Sequence, residues 1–176
     1  DPARQAQSAG VQLDVDLLAN HSQFLAKVRH VLPLLALMDV PAELNRGPEE
    51  IRTYLEKGCL DVYQPDCTFI GGISTARKIA AMVEGAGKVF TPHTWTNGIG
   101  LVANLHVAAA SSRVPYIEFP YDPPNWTPET RDFIFAAPLR IDGEGYVQLP
   151  QKPGLGLELD EEKLKRYEQP DTGRLI

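Results

Sequence analysis

The sequence predicts an α/β fold in which helical crossovers join parallel strands, and two observations predict it. From Pro48 onward, stretches of helical periodicity alternate with short extended apolar stretches, and glycine closes each of the first two helices before the next extended stretch begins. Three residues suited to chemistry, Asp66, His93 and Glu118, each follow or end one of those extended stretches. Alternation of this kind builds βαβ units, either in a closed barrel or in an open doubly wound sheet. Polar groups at the ends of several strands favour the barrel, because an open sheet gathers its site at one crevice.

Taken in order, the first 42 residues carry the weakest signals. Residues 11–16 alternate as a strand would, and 24–40 are strongly apolar but interrupted by Pro33 and Pro41. Ile51, Tyr54 and Leu55 share one helix face, and Gly58 stops that helix before a strand at 59–64. After a turn at Gly71-Gly72, the spacing of Ala76, Ile79, Ala80 and Val83 predicts a second helix, which Gly85 and Gly87 end before a strand at 88–91. A third helix is expected over 98–111, leading to a short strand at 116–119. Around and beyond Tyr121, Pro120, Pro123, Pro124 and Pro128 are expected to forbid regular structure, and 142–153 reads as a turn-rich excursion. A last helix begins near Asp160, an N-cap with Glu161 and Glu162 in the first turn, and carries Leu164 and Tyr167 on one face. That tail is expected to pack on a neighbouring element.

A chain of 176 residues can bury one good core. Its net charge of -6, with no basic cluster, argues against a sequence-independent hold on nucleic acid, which depends on Lys and Arg neutralising phosphates. No apolar run approaches the roughly 20 residues of a membrane span, and Asp1-Pro-Ala-Arg4 has no signal-peptide pattern, so a cytoplasmic protein is expected. Cys59 and Cys67 match no zinc spacing and read as reduced core or near-core thiols. Asn20-His-Ser22 and Asn125-Trp-Thr127 fit a glycosylation pattern that is common by chance.

If Asp66 and His93 met at one barrel mouth, the carboxylate would fix the imidazole tautomer and stabilise the imidazolium, making a general base. With a carboxylic acid as substrate, removing the α-proton would create an enediolate that needs electrophilic help, most simply a divalent cation held by acidic residues. Glu118 could donate to that intermediate or position it. Plainer readings compete: an Asp after a strand is often a turn or N-cap residue, a lone His is more often structural, and Glu118 before Phe119-Pro120 could be exposed. His106 reads as a packing residue, while His21 and His30 have no partner that the sequence reveals. Gly85-Ala-Gly-Lys88 lacks the spacing and the Ser or Thr of a phosphate-binding loop.

Several motifs then occur in one order: Asp61-Val-Tyr-Gln-Pro-Asp66, Gly71-Gly72-Ile73, Arg77-Lys78-Ile79-Ala80, Pro92-His93, Ile117-Glu118 and Pro153-Gly-Leu-Gly-Leu-Glu-Leu-Asp160. Together they resemble the last three β/α units and C-terminal signature of the mandelate racemase subgroup of the enolase superfamily, over roughly 43–167. The resemblance implies the C-terminal portion of a modified (β/α) TIM-type barrel, with a C-terminal segment that would pack on a capping domain. It divides the chain into a divergent mid-barrel remnant (1–42), the last β/α units (43–137) and a tail returning to the capping region (138–176). By motif, His93 would be the general base or acid, Asp66 its dyad partner and Glu118 the strand-eight carboxylate near the intermediate. A magnesium ion would bind the substrate carboxylate. Glu43, in Val40-Pro-Ala-Glu43, would be one ligand, and Asp16, in Val15-Asp16-Leu-Leu-Ala-Asn20, a second candidate.

The implied activity is magnesium-dependent abstraction of the proton α to a carboxylate, most simply in dehydrating a sugar acid. Racemisation or epimerisation would use the same intermediate. The family's strand-two Lys motif, strand-four Glu-Pro and capping domain have no counterpart here, so the chain reads as the C-terminal half of such an enzyme. A different reading is a non-catalytic half-barrel whose open edges drive self-association, and a homo-oligomer is expected.

Overall fold

The structure, a computed structural model, describes residues 11–12, 45–112 and 114–168. Its centre is one βαβ unit. Helix α1, Pro48–Lys57, starts on Pro48, with Glu49 and Glu50 in its first turn. It closes on Gly58 at φ 63°, where Gly58 N–H donates to Leu55 O and Cys59 N–H to Tyr54 O, both at 3.1 Å. That pair of bonds needs a left-handed residue, which glycine adopts without a Cβ clash. Strand β2, Val62–Tyr63, follows, then α2, Ile73–Gly85, then β3, Val89–Phe90. Gly87, at φ 72°, ends α2 in the same manner as Gly58 ends α1, with Gly87 N–H on Glu84 O and Lys88 N–H on Val83 O. β2 and β3 are parallel, Val62 opposite Val89 and Tyr63 opposite Phe90. The α/β class and the parallel pairing follow the sequence prediction, although the ladder is shorter than the extended stretches.

Residues Ile51, Tyr63, Ile70, Ile79, Val83 and Phe90 fill the core between α1, α2 and the two strands. Helix α3, Gly98–Ala109, is apolar on nearly all sides and is buried accordingly. Its Val107 joins that first core, while Leu101, Leu105 and Ala108 form a second with Ile117, Phe119 and Val147. Asn97 caps α3, its side chain accepting from Gly100 N–H at 3.0 Å.

Three expectations need correction. Residues 116–119 form no ladder strand, although Ile117 and Phe119 are buried and Tyr116 and Glu118 half-buried, as strand alternation requires. Pro92 lacks an N–H for a ladder, and threonine hydroxyls take over: Thr91 Oγ1 donates to Tyr116 O at 2.9 Å and Thr94 Oγ1 to Glu118 O. Pro128 does not forbid structure; it starts α4, Pro128–Arg131, in the first-turn position where its missing N–H costs nothing, with Thr127 and Thr130 forming a capping box. Cys59 is exposed, whereas Cys67 is buried, and both are free thiols.

Within the turn-rich excursion, Asp142 Oδ1 accepts from Glu144 N–H and Tyr146 N–H and closes a tight turn before β4, Tyr146–Val147. β4 pairs antiparallel with β1, Val11–Gln12, inside the expected strand 11–16; the apolar stretch 24–40 lies outside the described residues. Helix α5, Glu161–Tyr167, is capped by Asp160, whose side chain accepts from Lys163 N–H at 3.0 Å. It rests on the preceding chain through Lys163 Nζ on Phe135 O and an edge-to-face contact of Tyr167 with Phe133. Among the described residues no helix is long and apolar enough to cross a membrane.

A fully buried ion pair closes the second core from the side. Arg131 Nε donates to Asp132 Oδ1 at 2.7 Å and a terminal nitrogen to Oδ2 at 2.6 Å, with the guanidinium 4.1 Å from the centre of the Phe119 ring. The fork also reaches Pro120 O and Leu139 O, and Asp132 Oδ2 accepts from Leu139 N–H, so neither charge is left without hydrogen bonds. Gly98, the first residue of α3, lies so close that a Cβ there would stand 2.2 Å from Asp132 Oδ1 and 2.8 Å from the Phe135 ring. Gly98→Ala is therefore expected to destabilise the protein by about 1–3 kcal/mol through overpacking. The urea midpoint reads this, and Gly143→Ala, where nothing lies within 4 Å, should leave the midpoint in place.

Candidate active site

Two turns, each following a strand of the βαβ unit, face one another. After β2, Gln64-Pro65 carries the chain to Asp66, whose carbonyl accepts from Phe69 N–H and Ile70 N–H, both at 3.0 Å. Asp66 Oδ1 accepts from Thr68 N–H and Thr68 Oγ1, both at 2.8 Å, so the aspartate does serve as a turn residue. Its other oxygen does something else. Oδ2 lies 3.2 Å from His93 Nδ1 on the turn after β3. Asp66 is 0% exposed and His93 8%.

Burial alone would raise the Asp66 pKa, but the hydrogen bonds from His93, Thr68 and Asn104 outweigh it and hold the carboxyl below its ordinary value. An ionised carboxylate can only accept, which places the His93 proton on Nδ1 and makes Nε2 the basic nitrogen of the neutral ring. The adjacent Cys67 thiol is pushed up to about 12 by burial and then by the Asp66 charge, so it stays protonated and unreactive at neutral pH.

Glu118 reaches the same neighbourhood by a different route. Thr94, buried and next to His93, donates its N–H to Glu118 Oε2 at 2.9 Å as well as its hydroxyl to Glu118 O. Burial and then the Glu118 charge raise the pKa of Tyr116. Trp95 and Trp126 meet edge-to-face with centroids 5.8 Å apart, tying the loop after His93 to the loop after Glu118.

The structure thus brings Asp66, His93 and, through Thr94, Glu118 to one end of the strands. Glu43 and Asp16 lie outside the described residues, as do His21 and His30. Among the described residues no three His, Cys, Asp or Glu side chains converge as metal ligands. His106 does act in packing: its Nε2 lies 3.1 Å from Leu155 O and holds the C-terminal chain against α3.

Sequence reasoning missed Asn104, Thr68 and Thr94. Asn104 donates to Asp66 Oδ1 at 2.9 Å, and its own oxygen accepts from Cys67 N–H at 3.0 Å. A signal was present: Asn104 is a lone amide among Leu101, Val102, Leu105 and Val107, on a helix too apolar to leave it in water.

Known proteins share this arrangement of elements. The model of the family described as Enolase C-terminal domain-like matches residues 19–163. An arabinonate dehydratase from Saccharolobus solfataricus is 35% identical over 118 residues, covering 67% of this chain and 30% of the relative. A D-galactonate dehydratase from Cronobacter sakazakii is 38% identical, covering 65% and 30%, and a D-galactarolactone cycloisomerase from Agrobacterium fabrum 33%, covering 66% and 32%. Among crystal structures, an enolase of the mandelate racemase subgroup from Agrobacterium tumefaciens superposes with a TM-score of 0.59 at 28% identity, covering 68% of this chain and 32% of its own. A mandelate racemase/muconate lactonizing enzyme-like protein from Roseovarius sp. gives 0.58 at 31% identity, covering 68% and 28%. The match spans about a third of the length of these relatives.

Because the folded pKa of Asp66 lies below its ordinary value of 3.8, its share of stability is complete above that value and is lost as pH falls through the lower folded one. Asp66→Asn should therefore be less stable than wild type at pH 7, with the gap closing below about pH 4. Urea unfolding across that range measures it; a gap that stays constant would show that the Asp66 charge contributes nothing.

Proposed function

We propose, because the chain belongs to the Enolase C-terminal domain-like family, and so to the enolase superfamily in its mandelate racemase subgroup, that it carries the acid–base dyad of a sugar-acid dehydratase. The observation that carries this reading is the 3.2 Å contact between His93 Nδ1 and a carboxylate that has no exposed surface and three further hydrogen bonds on its other oxygen. Such a carboxylate stays ionised, keeps Nδ1 protonated and stabilises the imidazolium, so proton exchange is assigned to Nε2, across the ring.

Dehydration needs a proton taken from the carbon α to the carboxylate and a hydroxyl removed from the β-carbon. As the α C–H bond breaks, its electron pair passes into an enediolate. That pair then expels the β-hydroxyl, which leaves as water once protonated, and the enol product tautomerises to a 2-keto-3-deoxy acid. His93 serves as base at the α-carbon or as acid on the departing hydroxyl. Glu118, half-buried and oriented by Thr94 N–H, would stand near the intermediate. The names of the arabinonate and galactonate dehydratases support a sugar acid as substrate.

Magnesium, which the family implies, would supply electrophilic stabilisation of the enediolate. Its candidate ligands are Glu43 and Asp16. The division into 1–42, 43–137 and 138–176 is proposed on the same footing, with the last part returning to a capping region. Support for that return is an exposed apolar face: α5 has no buried residue, and Tyr167, Leu159 and Phe133 are all exposed. A cytoplasmic homo-oligomer acting on a small carboxylate, without nucleic acid or membrane, completes the reading.

The test uses the full-length protein in deuterated water with magnesium and a panel of sugar acids. A 2-keto-3-deoxy product is expected, whereas inversion at the α-carbon with deuterium uptake and no keto acid would replace dehydration by racemisation. His93→Asn should lower kcat/KM by about 10²–10⁴-fold, the usual share of a general acid–base group. Unchanged turnover in that variant would remove His93 from the mechanism.

A further inference from the structure

Asn104 is the only polar residue among the buried residues of α3, and it is 0% exposed. Its side chain makes three hydrogen bonds. Nδ2 donates to Asp66 Oδ1 at 2.9 Å and to Gly100 O at 3.1 Å, while Oδ1 accepts from Cys67 N–H at 3.0 Å. These partners fix the amide the one way round: flipped, it would turn its oxygen toward the Asp66 carboxylate and its NH2 toward the Cys67 N–H.

Thr68 also holds Asp66 Oδ1, but it belongs to the same turn and moves with it. Asn104 comes from a different element and is in turn bonded to the backbone of that helix. A carboxylate turns about one bond, so an anchor on Oδ1 sets the direction of Oδ2. We infer that Asn104 is a positioning residue for proton transfer: it pins Asp66 to α3 and so holds Oδ2 against His93 Nδ1. This rests on reading His93 and Asp66 as the acid–base dyad. Among the described residues, the Cys67 thiol beside the pair stays neutral, Asn104 accepting from its backbone N–H, and Glu118 is held by Thr94.

The test is Asn104→Leu in the full-length protein, with kcat and KM for a sugar acid measured beside the His93 imidazole resonances across a pH titration. The expected result is a fall in kcat of about 10–100-fold, the range for partners that orient a functional His, with KM little changed. The His93 titration midpoint should fall, because the imidazolium loses a fixed counter-charge. Where Asn104→Leu does not fold, Asn104→Ser serves, its shorter side chain unable to bridge to Asp66 Oδ1, and the same result is expected. Wild-type kcat together with a wild-type His93 titration in a folded variant would overturn the inference. If the wild-type protein turns over no sugar acid, the dehydratase reading fails, while the His93 titration still decides the role of Asn104.

Discussion

A carboxylate with no surface in water must find donors inside the protein or give up its charge. Asp66 finds four, and they come from three places: its own turn through Thr68, the next strand's turn through His93, and helix α3 through Asn104. Much of the arrangement around the site follows from that demand. The turn after β2 exposes Thr68 N–H to Oδ1, α3 carries an amide where every neighbour is apolar, and the parallel register of β2 and β3 brings His93 to the level of Asp66.

Helix α3 is the element through which the two cores communicate. Val107 packs with the βαβ unit, while Leu101, Leu105 and Ala108 pack with Ile117, Phe119 and Val147. Each end of the helix is held by a polar device. At the start, the Asp132 carboxylate lies against Gly98 in the first turn, where negative charge is favourable. Farther along, His106 holds the chain at Leu155. The second buried charge centre, Arg131 with Asp132, therefore supports the same helix that supports Asp66, and it grips Pro120 O just beyond Glu118.

What could be read from the sequence was whatever depends on local chemistry. Gly58 and Gly87 announce helix ends because only a residue without a Cβ closes those turns cheaply, and Ala76, Ile79, Ala80 and Val83 announce a buried helix face by spacing alone. Asp66 and His93 could be singled out because each follows such a strand. The failures share a physical cause as well. Residues 116–119 read as a short strand, yet whether a ladder forms depends on the neighbour, and Pro92 withholds the donor. Pro128 looked like a breaker because its effect depends on position: it breaks a helix interior but starts a first turn. Asn104 went unread since its partner lies 38 residues away, a distance that no periodicity spans.

The seam between β3 and residues 116–119 gives the site one stiff side and one compliant side. Asp66 and His93 each follow a strand of one backbone ladder, whose strand separation is set at about 4.8 Å by the geometry of the peptide group. Glu118 sits across a seam stitched by threonine hydroxyls, which rotate, and by one N–H to a carboxylate that can follow it. Small displacements across that seam bend side chains rather than break ladder bonds. Asp66 and His93 are thus seated by backbone geometry, and Glu118 by side chains that can turn.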